Sequence, residues 1–232
     1  MRSILIDGIN ILCKNNKDVG NIINPRKEEI ISLLERYIKE IETFNDAYGL
    51  VKVGSRDELI IRHILDSLAP VGFISRLLKQ IDTADKNNCK IADAGSGAGF
   101  PGIPLAIVLP GCEFTLIERR ERRAGFLCSA AAILGLSNIT IEKKEIEHIN
   151  SELFDLVTFR AFTALEPKIL KTLFRICKKT GLIAAYKGQR EKIEQEIAFI
   201  KEYCCQKEII LYKSPFLKEQ RHLVVLKADI KS

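Results

Sequence analysis

The chain has 232 residues, 47% of them hydrophobic and 28% charged, with no low-complexity tract. That length and balance suit one large domain, or one domain with a small extension, and exclude a disordered or fibrous protein. The formal charge of +6 inclines the chain toward an anionic partner, because clustered Lys and Arg release counterions from a polyphosphate. Seven cysteines, Cys13, Cys89, Cys112, Cys128, Cys177, Cys204 and Cys205, sit in apolar stretches without a CxxC or Cys/His zinc pattern. They read as reduced core residues, and no metal is expected. The apolar run of Met1 to Lys14 is interrupted by Asp7, Gly8 and Asn10 with no cleavage site after it, and no apolar run reaches the ~18 residues that cross a bilayer. The expectation is a cytoplasmic monomer without membrane contact.

From Pro25 to Phe44 the residues Ile30, Leu33, Leu34, Ile38 and Ile41 recur at helical spacing, with Asn24 as a cap and Pro25 in the first turn. A second helix is predicted from Arg56 to about Leu68, stopped by Pro70, and a short third one over Ile74 to Ile81. The polar stretch Asp82 to Lys90 reads as a linker. Short apolar runs then alternate with helical segments, the mark of a mostly parallel sheet covered on both faces. Strands are predicted at Lys90–Ala94, Glu113–Glu118, Ile139–Lys143, Leu156–Phe159, Leu182–Lys187, Ile209–Lys213 and His222–Lys227. Helices are predicted at Gly102–Leu109, Arg120–Leu134, Glu166–Lys178 and Glu191–Tyr203. The reading is an α/β, Rossmann-like domain over 83–232, with a seven-stranded mostly parallel sheet, behind a helical N-terminal extension over 1–82.

The segment Asp93-Ala94-Gly95-Ser96-Gly97-Ala98-Gly99 closes the first strand and leads into a helix. Glycines at alternate positions let backbone approach a ligand with no Cβ in the way, so Gly95, Gly97 and Gly99 are candidate cofactor contacts. Glu118 ends the next strand, 19 residues beyond Gly99, where a carboxylate can accept both ribose hydroxyls of an adenosine. Gly97-x-Gly99-x-x-Gly102 also satisfies the dinucleotide pattern, which keeps a nicotinamide cofactor as a competitor. Two details favour S-adenosylmethionine. Asp93 offers a carboxylate to the donor's ammonium, and Pro101 and Pro104 flank Gly102 where a pyrophosphate would need free N–H groups.

Five stretches in order then resemble the RsmG family, also called GidB, of small-subunit ribosomal RNA methyltransferases. They are Arg62-His63-Ile64-Leu65-Asp66-Ser67, the loop Asp93 to Gly102 with its continuation Ile103-Pro104-Leu105-Ala106, Arg160-Ala161-Phe162, Lys187-Gly188-Gln189, and Arg221-His222-Leu223-Val224-Val225. The resemblance spans about Pro25 to Ala228. It implies a class I methyltransferase that uses S-adenosylmethionine to methylate a guanine N7 of 16S rRNA. Cofactor contacts would then fall on Gly95, Phe100, Glu118, the pair Ile146-Glu147, and Arg160. Two places depart from the family pattern: Phe44 to Leu50, where Phe44 and Gly49 replace the usual Trp and Asn, and Gly125, which replaces a basic residue.

Guanine N7 carries an available lone pair, so transfer needs position rather than a general base. No Asn/Asp-Pro-Pro-aromatic segment follows the fourth strand and no Pro-Cys pair occurs, which disfavours exocyclic-amine and cytosine C5 chemistry. Arg62, His63 and Asp66 lie three or four apart on one predicted helix and form a candidate positioning cluster with Arg160, His63 being read as a partner of Asp66. Arg119, Arg120, Arg122 and Arg123 crowd the start of the helix after Glu118, where the macrodipole disfavours cations, and are read as RNA contacts together with Lys187 and Arg221. The expected partner is 16S rRNA or the small subunit. A methyltransferase of another substrate class, a nicotinamide-dependent oxidoreductase and a non-catalytic RNA-binding module that keeps the fold stay as alternatives.

Overall fold

The computed structural model describes residues 3–81, 89–161 and 164–228. The first elements are α1 (Ile4–Asn15) and α2 (Lys17–Ile23), neither expected from the sequence. Leu5, Gly8, Ile9 and Leu12 of α1 share one buried stripe, so the residues that interrupt the apolar run do so at helical period. Asn16 caps α2 by accepting the N–H groups of Asp18 and Val19. Asn24 does not cap the next helix as expected. It lies in a 3₁₀ turn over Asn24–Arg26 that joins α2 to α3 (Lys27–Tyr48), because α2 runs straight into it. Gly49 ends α3 in the left-handed conformation (φ 58°) that closes many helices.

The helix predicted at Arg56 to Leu68 is broken in character. It begins as α4 (Arg56–Leu59), widens to a π-helical stretch at Ile60–Leu65, and recovers as α5 (Asp66–Leu68). Such wide turns collect at functional sites, and this one carries Arg62 and His63. The following α6 (Val71–Gln80) starts three residues before the predicted Ile74. Of the predicted linker Asp82–Lys90, residues 82–88 lie outside the described residues, and the last two already belong to a strand.

The sheet contains β1 (Cys89–Ala94), β2 (Cys112–Ile117), β3 (Ile139–Glu142), β4 (Phe154–Arg160), β5 (Cys177–Lys187), β6 (Cys204–Tyr212) and β7 (Arg221–Ala228). Its order is β3-β2-β1-β4-β5-β7-β6, with β7 antiparallel to β5 and β6 and the other pairs parallel. Between the strands run α7 (Gly102–Val108), α8 (Glu121–Leu134), α9 (Pro167–Ile176) and α10 (Arg190–Ile200). Two strands start well before the predicted residue, β5 by five residues and β6 by five, while the other starts lie within two. In β5 the polar start Lys178-Lys179-Thr180 hides strand character. Gly181 belongs there because a Cβ would stand 2.8 Å from the Phe154 carbonyl oxygen, beside a register shift in β4.

Successive strand residues feed two cores, one on each face. Ile91, Phe114, Leu116, Leu156 and Tyr186 join α1 to α8 in one cluster, so the N-terminal helices and this face of the sheet share a single core. Ala92, Ala94, Val157, Phe159 and Ile183 join α9 and α10 in the other. Burial on both faces is why the strands read as near-continuous apolar runs. Two cysteines do not fit the expected core role, since Cys128 and Cys205 are exposed.

The strand order reverses at β1, with β2 on one side and β4 on the other. In open α/β sheets this switch point, at the carboxyl ends of the strands, opens a crevice.

Candidate active site

That crevice is a cleft of about 850 Å³ lined by Gly95, Ser96, Gly97, Ala98 and Phe100 after β1, Arg160 and Ala161 after β4, and Lys187 to Gln189 after β5. The π-helical turn adds Arg62 and His63, and Asp66, Tyr212 and Arg221 close the far wall. A second hollow of about 510 Å³ shares Gly95, Arg123 and Ala161 with it and reaches Glu118, Arg119, Arg120, Ile146 and Glu147.

The glycine loop is held from several directions. Gly95, Gly97 and Gly99 have φ values of 69°, 60° and 97°, the region that side chains other than glycine seldom enter. Glu118 accepts the N–H of Gly97 at 3.0 Å and that of Arg120 at 2.8 Å. Tyr37 of α3 donates its hydroxyl to the Ala98 carbonyl at 2.5 Å, and its ring lies 5.5 Å from that of Phe100. Gly99 turns away from the cleft, where a Cβ would stand 2.6 Å from Ile103 and 2.8 Å from the Tyr37 hydroxyl. Asp93 lies beneath the loop rather than on the cleft lining. Its Oδ2 accepts the Gly102 N–H at 3.0 Å, and its Oδ1 has no partner among the described residues. Burial pushes this carboxyl up to about 7, against the pull of the Gly102 N–H.

Around Asp66 a polar network joins four elements. Asp66 accepts from the Tyr212 hydroxyl at 3.2 Å, from Arg221 Nε at 3.3 Å and from Arg160 Nη1 at 3.5 Å. Burial raises its carboxyl above the ordinary value while Arg160 and Arg221 act against that rise. His63 does not pair with Asp66, contrary to expectation. Its Nδ1 meets Arg160 Nη2 at 2.6 Å, because the wide turn carries the ring toward β4 and the Phe100 ring, 5.0 Å away. Burial first, then Arg160 and Arg62, lower its pKa to about 3, so the imidazole is neutral. Arg160 also donates to the Arg62 carbonyl and stacks over Phe100 at 5.0 Å. Ala161 follows with φ 51°, a costly conformation for alanine placed on the cleft wall. Phe162 of the same motif lies outside the described residues.

The basic residues separate into groups. Arg119 and Arg120 precede α8 instead of standing in its first turn, and Glu121 offsets the two that follow. Arg119 pairs with Glu145 at 3.2 Å while staying exposed, Arg122 is exposed off the cleft, and Arg123 donates to the Gly49 carbonyl at 3.1 Å. Arg62 pairs with Glu58 and Glu219 at the cleft mouth. Lys187 is largely buried and pairs with Glu196 at 2.7 Å. Ile146 is buried and Glu147 exposed on a 3₁₀ turn pinned by Arg175, which donates to the carbonyls of Ile146, Glu147 and Ile149.

Sequence reasoning missed Tyr37, Tyr212, Glu196 and Arg175. For Tyr37 the available signal is a polar tip at a position that otherwise repeats the buried stripe of α3. Among the described residues no group of three or more His, Cys, Asp or Glu is placed to hold a metal, and no helix is long and apolar enough to cross a membrane.

This combination of sheet order, switch-point cleft and glycine loop is the Rossmann-like methyltransferase architecture. Two solved structures share the fold: an S-adenosylmethionine-dependent methyltransferase from Aquifex aeolicus (TM-score 0.53, 16% identity, 80% of this chain and 97% of that one) and tRNA (m1A58) methyltransferase TrmI from Aquifex aeolicus (TM-score 0.55, 12% identity, 71% and 68%). The chain belongs to the GidB family, rRNA small subunit methyltransferase G, whose model matches residues 30–224. Relatives named ribosomal RNA small subunit methyltransferase G include one from Treponema denticola, 37% identical over 97% of this chain and 96% of its own, and one from Nitrosomonas europaea, 33% identical over 96% and 95%.

Proposed function

We propose that this chain transfers the methyl group of S-adenosylmethionine to N7 of a guanine in 16S rRNA, as naked RNA or in the small subunit. The observation that carries the reading is convergence: the segments that resemble the family, distant in sequence, line one cleft at the switch point. The cradle fits an adenosyl donor. A Cβ at Gly97 would stand in the cleft with only the Gly95 oxygen at 3.9 Å and Arg123 at 4.0 Å near it, so glycine keeps that space open. Glu118 keeps lone pairs for ribose hydroxyls after its two backbone bonds. Ile146 offers an apolar flank and Glu147 an acceptor for the adenine. Asp93 holds the loop from beneath.

The bound donor supplies an electrophilic methyl group. The chain's residues orient the acceptor: Arg160, fixed by His63, Asp66 and Phe100, and Arg221 beside it face the RNA from the cleft wall, while Lys187 is held by Glu196. Guanine N7 is nucleophilic without deprotonation, and a neutral His63 engaged by Arg160 suits a site that works by position. The exposed Arg119, Arg120 and Arg122 extend this surface for phosphate contacts.

Incubating small subunits or rRNA from a strain lacking the modification with tritiated S-adenosylmethionine tests the reading. Label in RNA that maps to N7-methylguanosine by aniline cleavage is expected. RNA that takes up no label overturns it.

A further inference from the structure

Guanine presents two acceptors, N7 and O6, along the edge where the methyl group goes, whereas adenine presents N7 beside an amino donor. A site that separates them needs a donor fixed beside the N7 position and no free carboxylate there.

His63 has the geometry of such a donor. A guanidinium only donates, so the 2.6 Å contact with Arg160 Nη2 makes His63 Nδ1 an acceptor. A neutral imidazole then carries its proton on Nε2, and burial beside Arg160 and Arg62 keeps the ring neutral. His63 Nε2 has no hydrogen-bond partner among the described residues and is not one of the sealed, unpartnered buried atoms, so it opens onto the cleft that His63 lines. The ring stands against Phe100, at the end of the glycine loop. The two carboxylates of the cleft are engaged elsewhere, Asp66 by Tyr212, Arg221 and Arg160, and Glu196 by Lys187 and the Leu165 N–H.

We infer that the His63 Nε2–H donates to O6 of the target guanine, making His63 a specificity-determining residue that admits guanine and rejects adenine. Arg160 fixes the tautomer, so a single arginine both braces the cofactor loop and sets which ring nitrogen faces the base. The inference rests on the guanine-N7 reading above.

Wild type, His63→Leu and His63→Gln are compared on unmethylated small subunits with tritiated S-adenosylmethionine, and each is titrated with S-adenosylhomocysteine. For His63→Leu, kcat/KM falls at least about tenfold, the cost of an unmet polar group in a closed site. Its S-adenosylhomocysteine affinity stays within about twofold of wild type. His63→Gln recovers part of the loss, because its amide N–H reaches the region of Nε2. If wild type labels N7-guanosine and His63→Leu does so equally well, this inference alone falls. If the loss in His63→Leu is matched by an equal loss of S-adenosylhomocysteine affinity, His63 acts through the cofactor loop and the donor role is overturned. If wild type yields no N7-methylguanosine, the proposed function falls and this inference with it.

Discussion

The turns after β1 and β2 stand side by side in the sheet, and both lead into helices, but they are built in opposite ways. The loop after β1 has backbone and side-chain bonds from Glu118, Tyr37 and Asp93, three left-handed glycines and almost no exposed surface. The run Arg119 to Arg123 after β2 is mostly exposed, with two surface ion pairs, Arg119 to Glu145 and Glu121 to Lys143, and one contact to the Gly49 carbonyl, interactions of small worth. A small ligand always bound in one pose rewards a rigid cradle, since ordering is done before binding. A large polyanion is held by the sum of many adaptable charges. On the proposed function, the braced loop suits the donor and the exposed arginines beside it suit the RNA.

Several substitutions break or sharpen that contrast. The largest effect is expected on the opposite wall of the cleft, outside both loops: Asp66→Ala leaves Arg160 and Arg221 without their buried partner and should cost about 3–5 kcal/mol in urea unfolding. Gly97→Val puts a branched side chain into the cradle at φ 60°. It should weaken S-adenosylhomocysteine binding by at least about 100-fold, some 2.7 kcal/mol, with the fold retained, and unchanged affinity would remove the loop from the donor site. On the exposed side, Arg120→Glu with Arg122→Glu should reduce RNA affinity about tenfold and lower the salt slope by roughly 1–2, leaving donor affinity alone. Those two positions are cleaner than Arg123, whose charge reversal would also break the Gly49 contact. Tyr37→Phe leaves the Ala98 carbonyl unmet and should cost about 1–2 kcal/mol of stability with a matching loss of donor affinity.

A separate effect is one of pH. The folded pKa of Asp93, about 7 against 3.8, makes its contribution greatest in acid and lost as pH rises toward 7. His63, at about 3 against 6.5, works the other way, and stability is lost as pH falls from 6.5 toward 3. The two offset each other in the wild type. Asp93→Asn should therefore lose stability more steeply than wild type between pH 6.5 and 4, and equal slopes in urea titrations would contradict the shift of Asp93.

The seven strands were legible because burial on both faces turns each into an apolar run bounded by polar turns, and the glycine loop because three glycines at alternate positions have a steric reason. Helix α1 escaped because its apolar residues were weighed as a targeting segment, although they repeat at helical period. The start of β5 escaped because Lys178 and Lys179 look like a turn. The site was half legible. Gly97 and Glu118 follow from spacing along one chain segment, but Tyr37 reaches Ala98 across 61 residues and Tyr212 reaches Asp66 across 146. No local pattern encodes contacts of that kind. The pairing of His63 was misread for the same reason: on an ideal helix Asp66 is its neighbour, and the π-helical turn changes which partner it faces.

The bonds of Asp66 also bear on how the molecule assembles. Its three partners lie 94, 146 and 155 residues away in the chain, among the most entropically demanding loops this sequence can close. The cradle of β1, β2 and α7 needs far shorter closures. Folding should therefore complete the glycine-loop side of the cleft before the wall around Asp66, and amide exchange would show the Asp66 region opening at lower free energy than β1. A partly folded chain would then present the glycine loop before the wall built around Asp66 is complete.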